Sequence, residues 1–90
     1  MYVIRYDVRV VEDLRQIDAP TRKKIRNAIE TKLAVRPEIF GRPLRQSLVG
    51  LRVLRVGNYR VVFQLKKSEV LVILIGDRNS IYKEAQKRFG

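Results

Sequence analysis

The chain has no cysteine and no histidine in its 90 residues. Without cysteine there is no disulfide to staple the fold and no thiolate to act as nucleophile or metal ligand. Without histidine the usual general base at neutral pH is missing, and with it Ser–His nucleophile pairs and the commonest metal ligand. Acid is scarce too. Nine Asp and Glu stand against twenty Lys and Arg, and the nine are scattered, so neither a metal site nor a cofactor is expected. The longest apolar run, Val70 to Gly76, falls far short of the roughly 20 residues that cross a bilayer. Tyr2 to Asp7 carries Arg5 and Asp7 where a signal peptide would have an apolar core. The expected location is the cytoplasm.

What is present is a positive field. The formal net charge is +11, above the roughly 2 to 8 charges that keep a small domain soluble. Such a field attracts polyanions and speeds their encounter, with strong salt dependence. Nucleic acid, an acidic protein and an anionic membrane surface are the partners it suits. The bland alternative is a basic protein whose charge serves solubility alone. At 46% hydrophobic and 32% charged the composition is that of a globular protein, and residues 1–90 make one domain.

The chain is organised around Leu51-Arg52-Val53-Leu54-Arg55-Val56-Gly57-Asn58-Tyr59-Arg60-Val61-Val62-Phe63-Gln64. Two β-branched runs about a Gly-Asn turn predict a hairpin. Val70 to Ile75 adds a third strand and ends in Gly76-Asp77-Arg78. Upstream, Tyr2–Tyr6 predicts an opening strand. Asp7 caps a helix over Val8–Ile17, with Val10, Val11, Leu14 and Ile17 at helical spacing. Asp18-Ala19-Pro20-Thr21 breaks that helix and starts a second, with Ile25, Ala28, Ile29 and Leu33 inward and Arg22, Lys23, Lys24, Arg26 and Lys32 outward. Arg36 to Gly50 holds Pro37, Gly41 and Pro43 and predicts an irregular segment, in which Leu44 and Leu48 anchor while Arg42 and Arg45 face out. A last helix over Ser80–Arg88, capped by Ser80 or Asn79, closes an α+β domain of order βααβββα. Its antiparallel sheet carries a helical hairpin on one face and a C-terminal helix.

Alternation along strands assigns faces. Tyr59, Val61, Phe63 and Leu65 form an apolar set that predicts the core face, so Arg60 points to the other, open side. Arg55 shares that side if the turn pairs the two strands suitably. Arg78 follows the third strand directly. Arginines gathered this way repel one another, and an anionic ligand or an acidic partner chain would offset that repulsion.

Leu44-Arg45, the run from Gly50 to Phe63, and Ile75-Gly76-Asp77-Arg78-Asn79-Ser80-Ile81-Tyr82 resemble the RelE/ParE toxin superfamily, most closely its RelE-like branch, over nearly the whole chain. The resemblance implies the toxin of a type II toxin–antitoxin pair and a RelE-like toxin domain. It implies a ribosome-dependent mRNA endonuclease acting in the ribosomal A site, where the 2′-hydroxyl attacks the adjacent phosphate and leaves a 2′,3′-cyclic phosphate. The substrate supplies the nucleophile, and fixed guanidinium groups supply paired donors to the phosphate oxygens. By resemblance Arg60 and Arg78 hold and stabilise the scissile phosphate, and Tyr82 stacks on a base or takes part in proton transfer. Arg55, Arg52 and Arg45 bind the RNA. The implied partners are a cognate antitoxin and mRNA, with no membrane, metal or cofactor.

The chain departs from the RelE pattern where basic residues on the first hairpin strand are common. Those positions fall on Leu51 and Val53, and Arg52 has the opposite parity, to be brought round only by a bulge. Many relatives have histidine where Asp77 stands. Two further readings follow from these departures: a gyrase-inhibiting toxin of the ParE type, and an inactive relative in an antitoxin-bound repressor complex. Each site residue also has a plain alternative. Arg55 and Arg60 would pair with Glu69 or another acid, Arg78 would cap a carbonyl, and Tyr82 would be an aromatic at the edge of the core.

Overall fold

The sheet is built from the middle outward. In the computed structural model, which describes residues 1–90, strands β3 (Leu51–Val56), β4 (Tyr59–Lys66) and β5 (Glu69–Asp77) form the expected antiparallel meander. Gly57 takes φ +59°, a conformation that L side chains resist, and so closes the β3–β4 turn with Asn58.

β1 (Val3–Tyr6) joins the outer edge of β5 in parallel, Val3 opposite Glu69 and Tyr6 opposite Val72. The sheet is therefore mixed where a wholly antiparallel one was expected. The helical hairpin carries the chain from β1 across one face to the far side of the sheet, so β3 starts in the same direction as β1.

That hairpin is α1 (Val10–Arg15) and α2 (Ala19–Ala28), which continues as a π-helical turn over Ile29–Leu33. Asp7 starts α1: its carboxylate accepts from the Arg9 N–H at 2.9 Å. Asp18 caps α2 by accepting from the Thr21 N–H at 3.1 Å, and Pro20 occupies the first turn, where no N–H is needed. Val10, Ile17, Ile25, Ile29 and Leu33 bury their side chains against Leu54, Val61, Phe63 and Val72.

The segment expected to be irregular is more ordered than its composition suggested. It holds a single-turn helix, α3 (Pro37–Phe40), and a two-residue edge strand, β2 (Arg42–Pro43), which gives the order β1-β5-β4-β3-β2. Pro37 stands in the first turn of α3, and Pro43 lies on the sheet's last strand, two places where a missing N–H costs little. Gly41 is tight for a different reason: a Cβ there would run into the ring of Phe63.

The second face of the sheet is not open. α4 (Ile81–Phe89) and the 3₁₀ turn Gln46–Leu48 lie over it, and Ile81, Ala85 and Leu48 bury against Val53, Val62, Ile73 and Leu74. Both faces of β4 are thus covered, which is why Val61, Val62 and Phe63 are all fully buried in sequence. Ser80 stands at the N-cap of α4, one of the two expected positions, but its side chain bonds no N–H of the helix. Asp77 accepts from the N–H groups of Asn79 and Ser80 and from the Ser80 hydroxyl, at 2.8 to 3.1 Å. No helix is long and apolar enough to cross a membrane.

Candidate anion-binding site

The β3–β4 register decides which arginines meet. Arg55 stands directly opposite Arg60, and Arg60 directly opposite Gly76 on β5, so the two arginines share one face as the hairpin required. That face is the one α4 covers, because Val53 and Val62 of the neighbouring rung pack against Ile81 and Ala85. Gly76 has no side chain to contest the space beside Arg60. A Cβ there would meet Ile81 Cδ1 at 3.2 Å. The chain continues past β5 with the Arg78 N–H donating to Asn58 O at 2.8 Å, which fixes Arg78 beside the hairpin turn, exposed.

Arg60 is 8% exposed and is the one charged residue in the buried set. Its Nη1 donates to Gly57 O at 2.9 Å and Tyr59 O at 2.8 Å, so the turn itself aims the guanidinium. Both Nη1 hydrogens are spent there, leaving those of Nη2 and Nε. No buried side-chain nitrogen or oxygen lacks a partner, so those remaining nitrogens reach solvent. A guanidinium held this way cannot swing out to a distant carboxylate.

None is near. The five ion pairs are Arg5–Glu69, Arg9–Asp7, Arg15–Glu12, Lys87–Glu84 and Arg88–Asp13. Arg45, Arg52, Arg55, Arg60 and Arg78 enter none of them, and Glu69, the acid to which Arg55 or Arg60 might have turned, is taken by Arg5. Asp77 is next to Arg78 in sequence, but its carboxylate is engaged by the turn that precedes α4. The Ser80 hydroxyl, then the N–H groups of Asn79 and Ser80, hold its carboxyl below the ordinary 3.8. The acid that looked out of place beside a phosphate braces the turn that leads into α4.

Beside this row lies a cleft of about 420 Å³ lined by Arg42, Pro43, Leu44, Arg45, Val53 and Tyr82. The segment before β3 forms one wall and the first turn of α4 the other, tied by the Ser47 hydroxyl donating to Gln86 Oε1 at 2.9 Å. Tyr82 is 45% exposed, its ring turned to the cleft and not into the core.

The structure therefore brings Arg45 and Tyr82 into one cleft and sets Arg55 against Arg60 on the face that forms its floor. Arg52 is not with them. The β3–β4 register runs without interruption from Leu51–Gln64 to Val56–Tyr59, so no bulge turns Arg52 over. Its Nη1 donates to Gly41 O at 3.0 Å, tying the turn after α3 to the sheet. Sequence reasoning gave Arg42 no part in the site. The signal was its pairing with Val53, which depends on a strand two residues long.

A second hollow of about 410 Å³ between α1 and α2 is lined mainly by apolar side chains, among them Tyr6, Val11, Leu14 and Ile29, with Arg22, Arg26 and Glu30 also on its wall.

Comparison with known proteins places the chain in a family and finds solved structures of similar fold. Residues 4–82 match the family described as the ParE toxin of type II toxin-antitoxin system, parDE. No curated protein matches. Among solved structures, the isolated RelE toxin of E. coli is 26% identical over 98% of each chain, with a TM-score of 0.72. A chain of the toxin–antitoxin complex RelBE2 from Mycobacterium tuberculosis is 24% identical over 86% of this chain and 98% of its own, also at 0.72. YafQ from E. coli is 17% identical over 91% and 99%, at 0.63.

Proposed function

The chain belongs to the ParE toxin family of type II toxin–antitoxin systems, within the RelE/ParE superfamily and on its RelE-like side, and from that premise we propose that it is an mRNA endonuclease acting in the ribosomal A site. The observation that carries this reading is the Arg55–Arg60 pair, directly opposed across the hairpin with no carboxylate on either.

Like charges opposite one another destabilise a sheet, and a buried charge without a counter-ion costs more. A phosphodiester seated over the pair removes both costs. As the ribose 2′-oxygen bonds to phosphorus and the bond to the 5′-oxygen breaks, negative charge grows on the non-bridging oxygens. Arg60, aimed by the turn carbonyls, and Arg78, beside the same turn, donate to those oxygens. The 2′-hydroxyl proton leaves and one is returned to the departing 5′-oxygen, giving a 2′,3′-cyclic phosphate and a free 5′-hydroxyl. Arg55 and Arg45 hold the backbone on either side, and the ring of Tyr82 stacks on a base. Arg52 stays outside this set.

A second reading rests on one specific observation: at positions 51 and 53 β3 turns leucine and valine, not cations, to the working face, leaving Arg55 its one cation there. That suits a binding toxin that inhibits gyrase. Mapping mRNA 5′ ends on translating ribosomes separates the two. Codon-phased cuts that vanish in Arg60→Ala and Arg78→Ala support the nuclease. Growth arrest with intact mRNA and blocked supercoiling replaces it with the gyrase reading.

The proposed partner is an acidic or amphipathic antitoxin, partly disordered alone, that wraps the cationic face with a helix or an added strand. Binding the folded toxin alone, it raises the melting temperature by mass action.

A further inference from the structure

β3 brings one cation to the cleft face, Arg55, since its other residues on that side are Leu51 and Val53. The neighbouring edge strand supplies another. Arg42 is the register partner of Val53, so alternation sets it on the same face. It lines the cleft with Arg45 and Tyr82, is exposed, and enters none of the ion pairs. The Arg42–Val53–Val62 rung lies two residues along from the Arg55–Arg60 rung, about 6.6 Å, and Arg42 stands one strand further out than Arg55, about 4.8 Å, so the two arginines start about 8 Å apart, a gap their long side chains narrow. That is close to one nucleotide step of a stretched single strand.

We propose that Arg42, with Arg45, forms a second phosphate subsite that holds the nucleotide next to the one seated on Arg55 and Arg60. Its ligand is the backbone of single-stranded RNA, and its role is to fix the register of the strand before cleavage. The inference deepens the endonuclease reading and rests on it for the identity of the strand. The plain alternative is that Arg42 is a charge on an edge strand, placed to discourage pairing with other chains.

The test is direct binding of a short single-stranded RNA, with 2′-deoxyribose throughout its central nucleotides so that it cannot be cut, titrated over a range of salt. Arg42→Ala is expected to weaken binding about 5- to 10-fold and to lower the slope of log K against log[salt] by about 0.7, the loss of one phosphate contact on a single strand. Arg42→Lys keeps the slope. Arg15→Ala, which removes the same formal charge from an arginine already paired with Glu12, leaves both quantities unchanged. Equal effects from Arg42→Ala and Arg15→Ala would overturn the proposal. So would an Arg42→Ala protein that binds like the parent and only aggregates more, or a parent that does not bind the strand. A parent that binds with this pattern yet cuts nothing on ribosomes sinks the endonuclease reading and leaves the subsite standing.

Discussion

Two regions of this molecule use the same residue in opposite ways. Around β1, α1 and the end of α4, Arg5, Arg9, Arg15 and Arg88 each have a carboxylate within 3.2 Å. Around β2, the β3–β4 turn and the start of α4, Arg42, Arg45, Arg55, Arg60 and Arg78 have none. With nine acids for twenty bases the chain cannot pair every cation, and cations of α2 such as Arg22 and Arg26 are unpaired too, but only here do two unpaired arginines stand directly opposite one another, one of them buried. Where charge is balanced, arginine holds the fold. Where it is left unbalanced on a rigid scaffold, it waits for something from outside.

The largest test of that contrast removes an unpaired arginine. Arg60→Ala or Arg78→Ala should lower the rate of mRNA cleavage on programmed ribosomes by about 10²- to 10³-fold, the usual loss when a fixed donor to a developing oxyanion is removed. An unchanged rate would mean the unpaired region does no chemistry.

The second test breaks a pair. Arg88 and Asp13 are 18% and 11% exposed, and between them they also satisfy Ile73 O and the Ile75 N–H. Arg88→Ala leaves Asp13 charged, nearly buried and without its cation, and should cost about 3 kcal/mol in urea unfolding. Arg15→Ala, an exposed pair, should cost less than about 0.5 kcal/mol.

Converting the unpaired region into the paired kind sharpens the comparison. Arg55→Glu places a carboxylate opposite Arg60 and should raise the unfolding midpoint by the equivalent of about 1 kcal/mol while abolishing cleavage. Stability and activity moving in opposite directions is the expected signature.

The smallest effect is set by pH. Because the folded carboxyl of Asp77 lies below 3.8, its stabilisation of the turn entering α4 is complete above the unfolded value and is lost as pH falls through the folded one. Protection of the Asn79 and Ser80 amides against exchange, relative to their intrinsic rates, should therefore fall below about pH 4 in the parent. In Asp77→Asn it should show no such step.

The local parts of this design were legible in the sequence. Gly57-Asn58 between two β-branched runs fixes the hairpin, and the hairpin fixes Arg55 against Arg60. Asp18 and Pro20 announce α2. What stayed hidden depends on distant partners. β1 is parallel to β5 because of the path of the helices, not of anything in Val3–Tyr6. β2 is a strand only because β3 lies next to it. The burial of Arg60 needed α4 on a face that the polar residues Arg60, Gln64 and Lys66 made look open, although Val62 shares that face. Asp77 read as a misplaced charge because its ligands, two backbone N–H groups and a hydroxyl, leave no mark in composition.

One residue in β5 has a reach out of proportion to its size. Pairing with β4 steps from Val62–Leu74 to Phe63–Val72, so Ile73 is supernumerary, and the inside–outside alternation of the strand is reset across it. Val70 and Val72 lie toward α1 and α2, yet beyond the reset it is Ile75 that does so, while Leu74 turns to α4. Pair Ile73 with Val62 instead, with no bulge, and Ile75 would stand opposite Arg60 in place of Gly76, putting a side chain where the Arg60 guanidinium now has room. The backbone groups left over at this phase change are those that Asp13 and Arg88 serve. The paired end of the molecule thereby sets the timing by which the unpaired end is delivered to its face.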